Sequence, residues 1–463
     1  MKKYILIISS VLLIIYLILF FSSKKFQFIG DFLTYNQIIF IKKYLFPYKF
    51  INEIESDLLD QKTLLEDKRK EERERVLDAD FLTRKYAHPL IFYKTGEKIK
   101  LEKKKLYMDK FTNINDLVVG INLVYPGSGY IEIFDDKLFL ISSTGTIGYS
   151  ELNDDILRFV QIKSNIETFL PRKLLIKHPG VSVKDMKFIN NKIYISITDE
   201  IKKDCWSVSL LKADFNYKNL NFKRIFPGSE CVEKYKAWNN EFSWHQTGGR
   251  IFQINENEIL FSTGEYRTRE LAQDMNSVYG KVLKLNLIDN SHKVIAMGLR
   301  NPQGLFYDDF NNLILITDHG TKGGDEFNLI DLSKDKIYNF GWPIAAYAEH
   351  YGGYDEEKYK RYPLLKSHSE NGFDEPIKYF NADSKGKTIG PSQIIGLKNK
   401  KKEYVASSMH KRSLFIFNLN EVNELENLER IEIGERIRDM IYDDGKLYLY
   451  LENSSSIGII NFK

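Results

Sequence analysis

The stretch Asp135–Gly145 reads DDKLFLISSTG: two acidic residues, a short apolar and aromatic run, then Ser, Thr and Gly. The same phrase returns as NNKIYISITDE from Asn190, ENEILFSTGE from Glu256 and NNLILITDHG from Asn311. It returns twice more, as KKEYVASSMH from Lys401 and DDGKLYLYLEN from Asp443. Asn and Asp suit the turn and the β-branched and aromatic residues suit the strand, so each phrase predicts a turn feeding a strand. From Leu138 to Leu447 the six phrases cover 309 residues, a mean interval of roughly 62, which is the mark of a radial β-repeat. Six units of four strands predict an all-β, six-bladed propeller over residues 115–463. The widest interval, Leu313 to Tyr404, predicts long insertions between strands. A pair of β-sandwiches would show a break near the middle of the span, and none is present.

Working outward, the chain has 463 residues, 43% hydrophobic and 28% charged, which supports a sizeable core and argues against disorder. Its 67 Lys and Arg oppose 63 Asp and Glu, a net charge of +4. Phosphate binding needs a concentrated basic excess, so no nucleic-acid partner is expected. Upstream of the repeats, Tyr4–Phe21 (YILIISSVLLIIYLILFF) is free of charge. At about 1.5 Å per residue it can just cross a hydrocarbon core of about 30 Å. The run exceeds the usual signal-peptide core, and no small-x-small cleavage site follows it. Residues 1–25 are therefore expected to form a transmembrane anchor, with the rest of the chain in the periplasm or outside the cell. Lys2, Lys3, Lys24 and Lys25 flank both ends, so charge leaves the orientation open. Residues 26–114 are expected to form a charged helical stalk. Within it, Ile51–Arg84 reads as a helix with Leu58, Leu59, Leu64 and Leu65 on one side.

The two cysteines, Cys205 and Cys231, either close a loop in an oxidising compartment or remain as two core thiols. No CxxC pair or Cys/His cluster with zinc spacing occurs.

Chemistry on a radial fold sits on loops that converge from successive repeats, so a site should be assembled from scattered polar residues. Four clusters meet that description: Ser243–Arg250 (SWHQTGGR) with Ser262–Glu265 behind it, Gly298–Leu305 (GLRNPQGL), Thr317–Asn328 (TDHGTKGGDEFN), and Glu435–Asp439 (ERIRD). They supply a base in His245, guanidinium groups from distant repeats, an amide pair and a Gly-rich loop bearing carbonyls. Arginines from several directions suit a planar polycarboxylate ligand gripped by bidentate hydrogen bonds.

In order along the chain, WHQTGGRI, STGE, AQDMNSVYGKVLKLNL, GLRNPQGL, DHGTKGGDEFNLI, NFGWP, TIGPS and RIRD resemble the soluble quinoprotein glucose dehydrogenases and aldose sugar dehydrogenases, also called glucose/sorbosone dehydrogenases. The resemblance covers roughly residues 240–440. It implies a propeller that binds pyrroloquinoline quinone (PQQ) with a calcium ion and oxidises a sugar at C1 to the lactone, passing electrons to an unidentified acceptor. It further implies that His245 is the general base and that Arg300 stabilises charge on the quinone oxygen, with Asn301 and Gln303 beside it. Arg436 and Arg438 would pair with cofactor carboxylates, Thr388 would add a hydroxyl contact, and the backbone carbonyls of Gly320 and Thr321 would ligate calcium. The chain departs from the family pattern twice. His410 stands where a Lys often faces the cofactor, and Thr321 stands where a proline is usual, so the calcium loop loses proline's fixed φ. Two other functions use the same fold: a propeller without cofactor that binds glycans or proteins, and a calcium-dependent lactonase. The lactonase would need carboxylates converging on a metal, for which Glu265, Asp325 and Glu326 are the candidates.

Overall fold

The computed structural model describes residues 47–96, 99–100, 106–113, 128–152, 155–352, 354–397 and 402–462. The chain divides into two compact units, Met1–Glu72 and Arg73–Lys463. The described part of the first unit is helical and belongs to α1 (Pro47–Tyr86), where Leu58, Leu59, Leu64 and Leu65 are all exposed. No helix among the described residues is long and apolar enough to cross a membrane. The expected membrane segment and residues 26–46 of the expected stalk lie outside the described residues.

The second unit is mostly β. All six repeated phrases become the second strand of a four-stranded antiparallel meander: Lys137–Ser142, Lys192–Lys202, Glu258–Thr263, Leu313–Asp318, Glu403–Ser408 and Lys446–Leu451. The turns before them use the residues that tolerate positive φ: Asp135 and Asp136 at 51° and 56°, Asn190 and Asn191 at 49° and 56°. Two successive residues at such φ give the turn twist that matches paired strands. Leu313–Asp318 is buried along its whole length, because each meander is covered on both faces by its neighbours. Leu305, Ile314 and Ile316 pack with Leu260 and Val282 of the preceding meander, while Leu313, Leu315 and Phe327 pack with Ile394 and Phe415 of the next. The expected insertion lies between Asp325–Asp331 and Lys378–Phe380, the third and fourth strands of the fourth meander.

Separation into independent blades is incomplete. The last meander takes its fourth strand from Tyr107–Asn113, which pairs antiparallel with Ser456–Asn461 and ties the two ends of the unit together. Leu90–Lys94 then bridges this strand to Ile156–Ser164 of the first meander (Phe92 faces Asn113 on one side and Leu157 on the other), so the first and last meanders merge into one eleven-stranded sheet. Leu90, Phe92 and Phe111 seal that seam against Leu138, Leu140 and Tyr450. The stalk boundary at residue 114 is therefore corrected: strands begin at Leu90, and the end of α1 also belongs to this unit. Buried Asp80 of α1 accepts hydrogen bonds from Thr146 Oγ1 at 3.0 Å, Thr144 Oγ1 at 2.8 Å and Arg84 Nη2 at 2.9 Å. Pairing across more than three hundred residues leaves no local sequence period, which is why the repeat pattern did not reveal these strands.

Candidate active site

The first strands of the six meanders start at Gly129, Val183, Gly248, Pro302, Pro391 and Ile437. Their starting ends meet around one cavity of about 270 Å³, and this brings together His245, Arg300, Asn301, Gln303, Arg436 and Arg438. Their far ends line a second, larger cavity of about 410 Å³. Between the two lies buried Arg250, which donates to Asp439 Oδ1 at 2.7 Å, Asp185 Oδ1 at 3.3 Å and the carbonyls of Gln303 and Arg438 at 2.6 and 3.0 Å. Burial pushes the Asp185 carboxyl upward and Arg250 opposes that push, so the ion cluster holds the strand starts in a fixed ring.

Asp318 accepts from both Arg300 N at 2.8 Å and Asn301 N at 2.6 Å, fixing the loop that carries them; burial raises its carboxyl to about 6. The Asn301 side-chain oxygen accepts from Gly248 N at 3.1 Å and Gln303 Nε2 at 2.9 Å. His245 is exposed at the cavity mouth, with the cations Lys184, Arg438 and Arg267 near it. Burial, then Lys184, Arg438 and Arg267, hold its pKa down to about 4, so the imidazole is neutral and able to accept a proton throughout the physiological range. Gly180 permits its approach: a Cβ there would lie 2.7 Å from Trp244 Cβ and 3.2 Å from His245 Cε1.

Arg436 and Arg438 converge as expected, but on a carboxylate of this chain. Arg436 Nε donates to Glu452 Oε2 at 2.8 Å and Arg438 Nη2 to Glu452 Oε1 at 2.6 Å. Burial alone would raise the Glu452 carboxyl; Arg438 and Arg436 outweigh it and hold it low. Neither Thr388 nor His410 lines the cavity. Thr388 is buried and bonded to Asp325, and His410 packs its Cβ over Gly390. The expected calcium carbonyls also have other partners. The Gly320 carbonyl accepts from Arg300 Nη1, and the Thr321 carbonyl from Tyr351 Oη at 3.1 Å. The carboxylates a lactonase would need do not converge. Asp325 is spent on the backbone N–H groups of Gly320 and Gly390, at 2.8 and 2.7 Å. Glu326 accepts from Asn328 Nδ2 at 3.2 Å, and Glu265 lies behind Gln246, whose amide donates to it at 2.7 Å in the side-chain orientation that also accepts from Arg267 and Arg300. Among the described residues no group of three or more His, Cys, Asp or Glu side chains is placed to hold a metal.

Tyr130, Lys184, Arg267, Tyr351 and Glu452 also line the cavity, and the sequence analysis gave none of them a place in the site. Lys184 was readable in principle. Tyr130, Lys184, Gln303 and Arg438 are all the second residue of a first strand, so the repeat phase alone puts Lys184 at the position Arg438 holds. Its ammonium donates to the Gly180 carbonyl at 3.2 Å, and burial, then Arg438, lowers its pKa to about 7. Among the described residues, five Lys and Arg side chains line the cavity against one carboxylate, that of Glu452, a field suited to a polyanionic ligand.

A family model described as Glucose / Sorbosone dehydrogenase matches residues 182–459, more than half of the chain. The chain belongs to the glucose/sorbosone dehydrogenase family. Within this glucose/sorbosone dehydrogenase family member every cavity residue named above except Tyr130 falls inside the matched span. The aldose sugar dehydrogenase YliI of Escherichia coli (strain K12) is 24% identical over 223 residues, 45% of this chain and 57% of that protein, so the match spans less than two thirds of the relative's length. Two solved structures share the fold. The soluble aldose sugar dehydrogenase from Escherichia coli in the apo-form superposes with a TM-score of 0.56 at 17% identity, over 72% of this chain and 95% of that one. The PQQ-bound form of aldose sugar dehydrogenase from Streptomyces coelicolor does so with 0.54 at 16% identity, over 81% and 98%.

Proposed function

We propose that this protein is a PQQ-dependent dehydrogenase that oxidises an aldose at C1 to the lactone on a six-bladed propeller. The observation that carries the proposal is a neutral imidazole, His245, facing a cavity whose lining is otherwise dominated by cations. Family membership supports sugar oxidation, and closure of the last meander by Tyr107–Asn113 supports the propeller reading. The cavity suits PQQ, a flat tricarboxylate: Lys184, Arg267 and Arg300 provide positive charge beyond what Glu452 neutralises, and Asn301 and Gln303 provide amides. When bound, the quinone supplies the acceptor for the hydride that leaves C1.

The chain's own residues supply the rest. His245 takes the proton from the C1 hydroxyl, a contribution of about 10²–10⁴-fold for a well-placed base. Arg300, anchored through its backbone by Asp318, presents fixed positive charge where negative charge develops, so little reorganisation accompanies the reaction. Arg436 and Arg438, tied to each other through Glu452, present donors on the opposite wall. The Cys205–Cys231 disulfide fits an oxidising compartment. Together with the apolar run Tyr4–Phe21 it supports a membrane-anchored protein whose catalytic unit is exported.

The test is reconstitution of the purified full-length protein with PQQ, followed by dye reduction with a panel of aldoses. Micromolar binding of PQQ and saturable, aldose-dependent dye reduction are expected. Failure to bind PQQ under any ionic condition would refute the proposal and favour a propeller that binds glycans or proteins without turnover.

A further inference from the structure

The Gly-rich loop Asp318–Asp325 was expected to lend two backbone carbonyls to a calcium ion. In the structure the carbonyls of His319, Gly320 and Thr321 all accept hydrogen bonds from groups of the protein. Arg300 Nη1 donates to the carbonyls of both His319 and Gly320. His319 Nδ1 lies 3.0 Å from the same Gly320 oxygen. Tyr351 Oη donates to the Thr321 carbonyl at 3.1 Å, and the Thr321 hydroxyl donates to the Glu349 carbonyl. Both carboxylates of the loop are buried and engaged: Asp318 accepts from Arg300 N and Asn301 N, and Asp325 accepts from Gly320 N and Gly390 N and lies 3.0 Å from His319 Nδ1.

Calcium takes six to eight oxygen ligands, usually including carboxylates. Here the two carbonyls meet a guanidinium and a phenol, and Arg267 stands close as well, its guanidinium 5.3 Å from the Tyr351 ring centre. The Arg300 guanidinium is 6.0 Å from the same ring, so Tyr351 lies over both cations. A divalent ion in this corner would face Arg300 directly, and the one carboxylate lining the cavity among the described residues, Glu452, is already shared between Arg436 and Arg438. The residues present therefore do not fit a calcium ion.

We propose that this protein binds its planar polycarboxylate quinone without a metal ion, with Arg300 standing at the carbonyls of His319 and Gly320 and Tyr351 capping that of Thr321. The positive charge that a metal would lend to the ligand comes from the Arg300 guanidinium, fixed by the carbonyls of His319 and Gly320. This inference rests on the PQQ reading of the cavity. It also accounts for Thr321: the loop has no metal to present carbonyls to, and the threonine hydroxyl locks it to Glu349.

The experiment is an equilibrium titration of the full-length apo-protein with PQQ, followed by quenching of tryptophan fluorescence. It is run in millimolar EGTA and again in millimolar calcium chloride, with terbium luminescence as a separate probe of metal binding. Dissociation constants within threefold of each other, and no saturable terbium signal at micromolar metal, are expected. A dissociation constant at least tenfold weaker in EGTA and restored by calcium overturns the inference while leaving the PQQ reading intact. No PQQ binding in either condition overturns both. In Arg300→Gln the affinity for PQQ should fall at least tenfold in EGTA; an unchanged affinity overturns the role given to the guanidinium. Arg300→Lys, which keeps the charge but not the fork, should recover part of the loss, and near-ultraviolet circular dichroism verifies that both variants are folded.

Discussion

Replacing Lys184 by methionine should make the protein more stable and less able to bind its ligand. The Lys184 ammonium is buried, has the Gly180 carbonyl at 3.2 Å as its hydrogen-bond acceptor, and is opposed by Arg438. Its pKa falls from 10.5 to about 7, and at about 1.36 kcal/mol per pKa unit this sets a ceiling of about 5 kcal/mol on the destabilisation. Relaxation and water entry reduce such penalties, so a gain of about 2–4 kcal/mol is expected, seen as a rise in Tm of roughly 2–5 °C. The pH dependence identifies the cause. Below pH 7 the lysine is protonated in both folded and unfolded chains, and the folded state bears the full penalty. Between pH 7 and 10.5 only the unfolded chain holds the proton, so wild-type stability climbs with pH. The advantage of Lys184→Met should thus be largest below pH 7 and vanish near pH 10.5, as read by urea unfolding of the full-length protein across that range. Affinity for PQQ should move the other way, weakening about 10–100-fold, the range for a lost charge-assisted hydrogen bond. A variant less stable than wild type at every pH, or an advantage that does not change with pH, would refute the argument.

Three further outcomes can be checked. With the His245 pKa near 4, kcat/KM should stay flat from pH 8 to about pH 5 and fall below that as the base protonates; His245→Ala should lower turnover about 10²–10⁴-fold with PQQ affinity changed little. A step near pH 6.5 that persists in Lys184→Met would point to a different base. Asp439→Asn removes the closer carboxylate partner of buried Arg250 and should cost about 3 kcal/mol in chemical unfolding. Cys231→Ser opens a loop closed across 26 residues of sequence and should lower stability by about 3.5 kcal/mol in the chain-entropy model, an effect that vanishes when both proteins are compared under full reduction.

The hairpins were legible because their cause is local. Asp135-Asp136 and Asn190-Asn191 announce turns at positive φ, and the apolar runs after them announce buried strands. The clustering of His245, Arg300, Asn301, Gln303, Arg436 and Arg438 was legible because each sits at or just before the start of a first strand, and a radial repeat brings those starts together. Thr388 and His410 lie in comparable motifs but do not line the cavity: Thr388 bonds to Asp325, and the His410 Cβ sits against Gly390.

By itself the sequence determined the strand-and-turn rhythm and the gathering of His245 and several arginines at repeat starts, since these depend on residue type and spacing. Only the tertiary structure decided that Tyr107–Asn113 closes the last meander, that Glu452 joins Arg436 to Arg438, that Lys184 enters the cavity, and that Arg300 and Tyr351 take the carbonyls of the Gly-rich loop. Each of these joins groups far apart in the chain, and hydrogen bonds between such groups depend on the placement of whole sheets, which no local pattern of residues encodes.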